Sequence, residues 1–307
     1  ANTGGLDRAR FDTLTVGNWL DIPVDLVGQG AGKPVQVVVR GGRLDLRRAE
    51  FGTSKPSGIK GPPMLLQLDR LQVTDKIALT NMRGQFDMAW GLDGRFDANL
   101  NGGTPVSGRV APKNGRSAIQ LISADAGGVL RSANMVKQVR GGNLTLTLMP
   151  VGTGGAFDGR AQITDVTIQD APAIAALVNA VSVVGLVNEL NGDGIYFDTV
   201  EADFRMTPNR VTLTEASATG ASLGISMDGV FATDTGRMAL QGVISPVYLL
   251  NGLGSFLTRK GEGLLGFNYS LGGTAENPDV SVNPLSALAP GFLRDILRAP
   301  APALPPL

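Results

Sequence analysis

The sequence predicts a mainly β protein built from long antiparallel strands, and three observations carry that reading. Apolar and polar residues alternate at period 2 through most of the chain, the pattern of strands with one dry and one wet face. Glycine occurs 42 times in 307 residues, nearly twice its usual share, as expected where many turns punctuate a sheet. Gly, Asn and Asp clusters, rather than regular helices, separate the runs, which argues against βαβ winding.

The runs follow one another in order. Alternation marks strands near 35–48 and 64–73, then Arg95–Leu100 with Phe96, Ala98 and Leu100 on one side. Further runs lie near 105–111, 117–122, 142–149 and 159–168. Val200, Ala202, Phe204 and Met206 then alternate with Glu201, Asp203, Arg205 and Thr207. Val211 and Leu213 follow, then Leu223, Ile225 and Met227, then runs near 236–243 and 263–271. A faint repeat pairs Val39-Arg40-Gly41-Gly42-Arg43-Leu44-Asp45-Leu46 with Val139-Arg140-Gly141-Gly142-Asn143-Leu144-Thr145-Leu146. Gly-Gly before Leu-x-Leu reads as a turn entering a strand.

Three segments break the alternation. Residues 171–190 carry Ile174, Leu177, Val178, Val181, Val184 and Leu190 at helical spacing, with Asp170 as cap and Pro172 in the first turn. Its length approaches a membrane span, but Asn179, Ser182, Asn188 and Glu189 are costly in a bilayer. A helix buried on one broad face is the better expectation. A second helix is expected over 246–259, with Ser245 as N-cap and Gly261 as stop. A third is expected over 285–298, and a short helical turn over 124–136. These amphipathic helices would pack on the sheet or cap it. The reading is one domain over 1–298, followed by a Pro-rich flexible tail over 299–307.

Composition narrows the function. Hydrophobic residues make up 43%, enough for a sizeable core. Lys plus Arg equals Asp plus Glu, 27 each, which argues against nucleic acid and against simple adhesion to anionic headgroups. With no Cys and no His, Cys/His zinc sites, Ser-His-Asp triads and imidazole acid–base catalysis are excluded. The remaining motifs fail on inspection. Gly28-Gln29-Gly30-Ala31-Gly32-Lys33 has Val27 where a P-loop needs Gly, and Pro34 where it needs Ser or Thr, so it reads as a hairpin turn. Asn191-Gly192-Asp193-Gly194 lacks the ligand spacing of an EF-hand. Glu201 and Asp203 share a strand face with Arg205 and Thr207, a solvated face rather than a glycosidase cleft. Asn143-Leu144-Thr145 and Asn268-Tyr269-Ser270 match a glycosylation sequon but read as strand. No catalytic residue, metal or cofactor is expected. The first residues show no basic or apolar leader region, so the expectation is a fragment or a mature piece.

What remains is an excess of apolar strand faces and apolar helices, which a protein core, another chain or a ligand must cover. Alternation by itself favours a closed, dry sandwich or barrel. An acyl chain is the other occupant to weigh. About 15 methylenes in water cost roughly 12 kcal/mol at about 0.8 kcal/mol each.

The C-terminal stretch adds a resemblance. Gly261-Glu262-Gly263-Leu264-Leu265-Gly266-Phe267-Asn268-Tyr269-Ser270-Leu271-Gly272-Gly273-Thr274 is followed by Asn277-Pro278-Asp279-Val280. Then comes Val282-Asn283-Pro284-Leu285-Ser286-Ala287-Leu288-Ala289-Pro290-Gly291-Phe292-Leu293-Arg294. This resembles the end of the AsmA-like C-terminal region, in proteins of the YhdP and TamB type. Ile244-Ser245-Pro246-Val247-Tyr248-Leu249-Leu250 and Asp125-Ala126-Gly127-Gly128-Val129-Leu130-Arg131 resemble other stretches of it. The likeness is most specific over 245–294 and extends over 120–298. It implies a long twisted antiparallel sheet curled into a taco-like groove, in a bridge-like lipid transfer protein of the Gram-negative envelope. Such a protein would be anchored in the inner membrane upstream of this chain and would carry phospholipid through the periplasm in outer membrane biogenesis.

On that reading the groove-lining candidates are Leu44, Leu46, Leu144, Leu146, Leu148, Phe204, Met206, Leu213, Ile225, Met227, Met238, Leu240, Phe267 and Tyr269. The partners would be phospholipid acyl chains, with an outer-membrane or periplasmic protein at the C-terminal end. Asn283, Pro284, Leu285, Ser286, Pro290, Gly291, Phe292 and Arg294 form the C-terminal signature, either a docking or closing element or a helix over the last sheet edge. Asn283-Pro284 should end a strand and Ser286 should cap the helix. The rival reading is a structural or assembly scaffold of the envelope that binds a protein by β-edge pairing over a closed core.

Overall fold

The computed structural model describes residues 6–49, 61–88, 91–152, 155–181, 192–246, 266–274 and 277–288. The chain divides into two compact units, Ala1–Lys137 and Gln138–Leu307.

In the first unit the strands are β1 (Arg8–Val16), β2 (Leu20–Val27), β3 (Gln36–Arg40), β4 (Arg43–Asp45), β5 (Met64–Gln72), β6 (Ala78–Asp87), β7 (Asp93–Leu100), β8 (Thr104–Lys113) and β9 (Arg116–Ser123). β1 and β2 form a hairpin, and β5 through β9 form an antiparallel meander. The segment 28–35 is the hairpin loop between β2 and β3, closed by Val27 opposite Gln36, as its failure as a P-loop suggests. β3 and β4 pair with β2 on one side and run parallel to β5 on the other. The mainly β sheet expected from the sequence is thus antiparallel except where β3 and β4 run parallel to β5.

The Gly-Gly repeat also reads differently. Gly41 and Gly42 do not turn the chain back. They interrupt β3–β4 as a kink, with Gly42 at φ +82° and its N–H donated to the Asp69 carboxylate at 2.8 Å. Gly141 and Gly142 do the same inside β10 (Val139–Pro150), at φ +64° and +84°. Each pair bends a continuing strand, using backbone angles that glycine alone adopts freely; Gly41–Gly42 also shifts register by one residue against β2, whereas Gly141–Gly142 keeps the register with β11.

Helix α1 (Ala126–Ser132) follows β9. Its cap is the Asp125 carboxylate, which accepts from the Gly128 N–H at 2.7 Å, and Asn134 at φ +54° lies just beyond its end. The expected turn over 124–136 is present in shorter form. One face of this unit buries Ile22, Val24, Val39, Leu68, Leu79, Met82, Phe96 and Val106.

The second unit is an antiparallel meander throughout: β10, β11 (Phe157–Ile168), β12 (Ile195–Thr207), β13 (Arg210–Thr219), β14 (Leu223–Ala232), β15 (Met238–Pro246), β16 (Phe267–Gly273) and β17 (Pro278–Asn283). Both sequon-like triplets lie within strands, β10 and β16. Helix α2 (Pro172–Ala180) lies against β17 and buries Leu177 and Val178. Pro172 opens it as expected, but Asp170 does not cap it: the N-cap is Ala171 with no side-chain bond, and Asp170 sits at φ +49°. Residues 182–191 lie outside the described set. Ser245 and Pro246 end β15 instead of starting a helix, because both pair with β14; residues 247–259 are not described. No helix among the described residues is long and apolar enough to cross a membrane.

Candidate functional site

Strand register decides which side chains share a face, since paired residues in neighbouring strands point the same way. In the second unit the register aligns apolar residues into rows that cross the meander. One row is Leu144, Ile163, Val200, Ala218, Ile225, Ile244 and Phe267. The next is Leu146, Ala161, Ala202, Ala216, Met227, Gly242, Tyr269 and Val282. The third is Leu148, Gly159, Phe204, Leu213, Gly229, Leu240, Leu271 and Val280. A shorter fourth row holds Phe157, Met206, Val211, Phe231 and Met238.

All twelve candidates that lie in this unit (Leu144, Leu146, Leu148, Phe204, Met206, Leu213, Ile225, Met227, Met238, Leu240, Phe267 and Tyr269) fall on this one face. Leu44 and Leu46 belong to the first unit. Leu44 is half-buried between Leu20 and Leu71. Leu46 lies beyond the end of β4, is 36% exposed and donates its N–H to the Gln72 carbonyl.

A bulge preserves the face where simple alternation would lose it. Asp203 opposes Glu215 but Phe204 opposes Leu213, so Thr214 is extra and its hydroxyl donates to the Asp203 carbonyl at 2.8 Å. Leu213 and Ala216, three positions apart, thereby point the same way. Glycines shape the same face. The Phe204 ring lies over Gly159 and leaves no room for a Cβ there. Tyr269 crosses Gly242 to donate its hydroxyl to the Ser226 carbonyl at 2.9 Å. Phe96 lies over Gly108 in the first unit in the same manner.

Burial is uneven along the rows. Ile225, Ile244, Leu240, Tyr269 and Leu271 are buried. Leu146, Ala161, Ala202, Phe204, Met206, Val211 and Leu213 are only half-buried. The opposite face is polar. Arg160 grips Asp203 with two bonds of 2.7 and 2.9 Å, and Arg205 grips Asp158 at 2.7 and 3.0 Å. These hydrogen bonds hold both carboxyls below the ordinary carboxylate range and raise both guanidiniums. This is the solvated face expected around Glu201 and Asp203. Near the start of β12, the exposed Tyr196 donates to Asp165 at 2.8 Å, which pushes the phenol upward.

The C-terminal signature is resolved in part. Asn283 ends β17 and Pro284 begins a 3-10 turn, Pro284–Leu288. Ser286 does not cap a helix. It is fully buried, its hydroxyl accepts from the Asn268 N–H at 2.8 Å, and it donates to the Asn283 carbonyl at 2.5 Å, tying the turn to β16. The Asn283 carboxamide takes the capping role by accepting from the Leu285 N–H at 3.1 Å. The Leu285 side chain is exposed. Pro290, Gly291, Phe292 and Arg294 lie outside the described residues.

No group of three or more carboxylates among the described residues is placed to hold a metal ion. A depression of about 270 Å³ lies over β6–β8, lined by Asn81, Arg83, Asp97 and Ser107 among others. None of the groove candidates lines it. Sequence reading missed β1, β2 and β6; the strand it expected to end at Asn283 is β17. It also left Ile163, Val200 and Leu271 out of the groove-lining candidates, although register places them in the same rows. Searches against protein-family models, curated proteins and solved structures find no match to this chain.

Proposed function

We propose that this chain is a non-catalytic lipid-handling module whose apolar sheet face shields phospholipid acyl chains from water in the periplasm of a Gram-negative cell. One observation carries the reading: register and bulges keep an unbroken apolar face across eight strands, and its β10–β13 stretch stays half-buried apart from Leu144 and Ile163 in the first row. Half-exposed apolar rows of this length favour an apolar occupant, since burial of hydrocarbon is driven by area and needs no specific polar contact. The flat placement of Phe204 over glycine suits a smooth wall along which a chain lies. The resemblance of Gly261–Arg294 to the AsmA-like C-terminal region supports the same reading.

The experiment is site-specific photocrosslinking in cells followed by mass spectrometry. A photoreactive residue at Phe204 should capture phospholipid, and one at the buried Ile225 should capture much less. Protein that carries no lipid and crosslinks none at Phe204 would count against the proposal, as would capture of a protein in its place.

A further inference from the structure

Net charge zero conceals a segregation. Residues 1–137 contain 18 Lys and Arg against 12 Asp and Glu, a formal +6; residues 138–307 contain 9 against 15, a formal −6. Register shows where part of this difference sits. On the polar face of the first unit one row runs Arg10, Asp25, Val38, Leu65, Gln85, Arg95, Arg109. The adjoining row runs Arg40, Gln67, Arg83, Asp97, and Arg8 follows the same face of β1. The band therefore holds six exposed arginines and no lysine. Its own carboxylates are Asp25 and Asp97, with Asp12 at 3.8 Å from Arg10 and Asp87 and Asp93 in the next row.

These arginines are under-compensated. Asp25 is 3% exposed and is shared by three of them: Arg8 hydrogen-bonds it, Arg40 lies at 2.5 Å and Arg10 at 3.5 Å. The Arg8 hydrogen bond, helped by the Arg40 charge, holds this carboxyl below its ordinary range despite burial. Arg95 stands directly opposite Arg109, a like-charge pair that costs stability unless an anion lies between or above it. Among the described residues no ion pair within 4 Å reaches Arg83 or Arg95, and Arg109 has only Asp93 at 3.9 Å. The matching polar face of the second unit has the opposite sign, with Asp158, Glu201, Asp203, Glu215 and Asp228 against Arg160, Arg205 and Arg210. There Arg160 and Arg205 are consumed in bidentate pairs.

We propose that the arginine band on the polar face of the first unit docks on an anionic phospholipid surface through headgroup phosphates. The guanidinium fork matches phosphate oxygens bidentately, which suits a band made of Arg alone. From Arg10 on β1 to Arg95 on β7 the row crosses five strand spacings, roughly 25 Å at about 4.8 Å each. That spread fits a plane of many headgroups better than one small ligand. It also revises the inference from zero net charge, because a surface responds to the charge of the face it meets within about a Debye length, not to the sum over the molecule.

The test is vesicle flotation of the full chain with phosphatidylcholine vesicles and with vesicles that also contain phosphatidylglycerol. Binding to the anionic vesicles alone, lost at high salt, is expected. Arg83→Glu with Arg95→Glu should weaken it at least about tenfold, while Glu215→Gln in the second unit should leave it unchanged. Circular dichroism checks that the variants fold, and Arg83→Gln alone offers a milder arm. Equal binding to both vesicle types, binding to neither, an unaffected double variant, preference for single-stranded RNA, or salt-sensitive self-association in place of vesicle binding would each overturn it. The proposal goes beyond the acyl-chain reading and does not depend on it: crosslinking at Phe204 reports the apolar face, and flotation of the Arg83/Arg95 variant reports the polar one.

Discussion

Two stretches of one sheet face in the second unit contrast sharply. Across β14–β16, Ile225, Ile244, Leu240, Tyr269 and Leu271 are buried, and β15 is buried along nearly its whole length. Across β10–β13 the same rows continue with Leu146, Ala202, Phe204 and Leu213, yet these side chains are half-buried. The amino-acid types barely differ, so the contrast is one of covering rather than of composition. Near β16 the buried Ser286 ties the 3-10 turn down, and α2 lies on β17. The lesson is that an apolar face can serve as core at one end and as an open wall at the other without any change in its alternation.

Mutational energetics can break or sharpen this contrast. The largest effect is expected for Ile244→Ala, which empties a fully buried site and should cost about 3 kcal/mol in urea denaturation. Gly142→Ala should come next, at about 1–2 kcal/mol, because position 142 sits at φ +84° and a Cβ would meet Ile163 Cγ2 at 3.0 Å. Leu213→Ala, on the half-buried stretch, should cost only about 1 kcal/mol. If Leu213→Ala proves as damaging as Ile244→Ala, the β10–β13 rows are covered and the contrast fails.

A smaller effect should separate the stretches by pH. Asp158 and Asp203, behind the half-buried rows, have carboxyls lowered by Arg205 and Arg160 respectively. Such groups contribute stability that is fully present above the ordinary carboxylate pKa near 4. That contribution is lost as pH falls through their lowered folded values. Hydrogen-exchange protection, corrected for the slower intrinsic exchange in acid, should therefore fall in β11–β12 before β15 between pH 6 and pH 3. A uniform loss of protection across the meander would contradict this order. Smallest of all, Asp203→Asn should shift the urea midpoint barely at all, because its pair with Arg160 is solvent-exposed.

Much of the fold was legible. Period-2 alternation located β5, β7 through β9 and β10 through β16, and it assigned every second-unit groove candidate to one face. β1 escaped because Phe11 and Leu14 are three apart, across an irregular register. β6 escaped because its bulge at Asn81 breaks the alternation between Leu79 and Met82. Helix caps failed for a different reason. Asp170 and Ser245 have the right chemistry, but Asp170 sits at φ +49° one residue before the N-cap Ala171, and Ser245 is held in β15 by pairing with β14.

The sequence by itself determined the mainly β class, the hairpin nature of 28–35 and the apolar or polar character of each strand face. These follow from local periodicity and turn chemistry, which neighbouring residues specify. Tertiary structure decided which strands pair, including the parallel β3–β5 contact, and that the Gly-Gly pairs bend strands instead of reversing them. It also decided where the apolar face is covered and where like charges gather. Pairing and covering depend on residues far apart in the chain, so no window of sequence contains them.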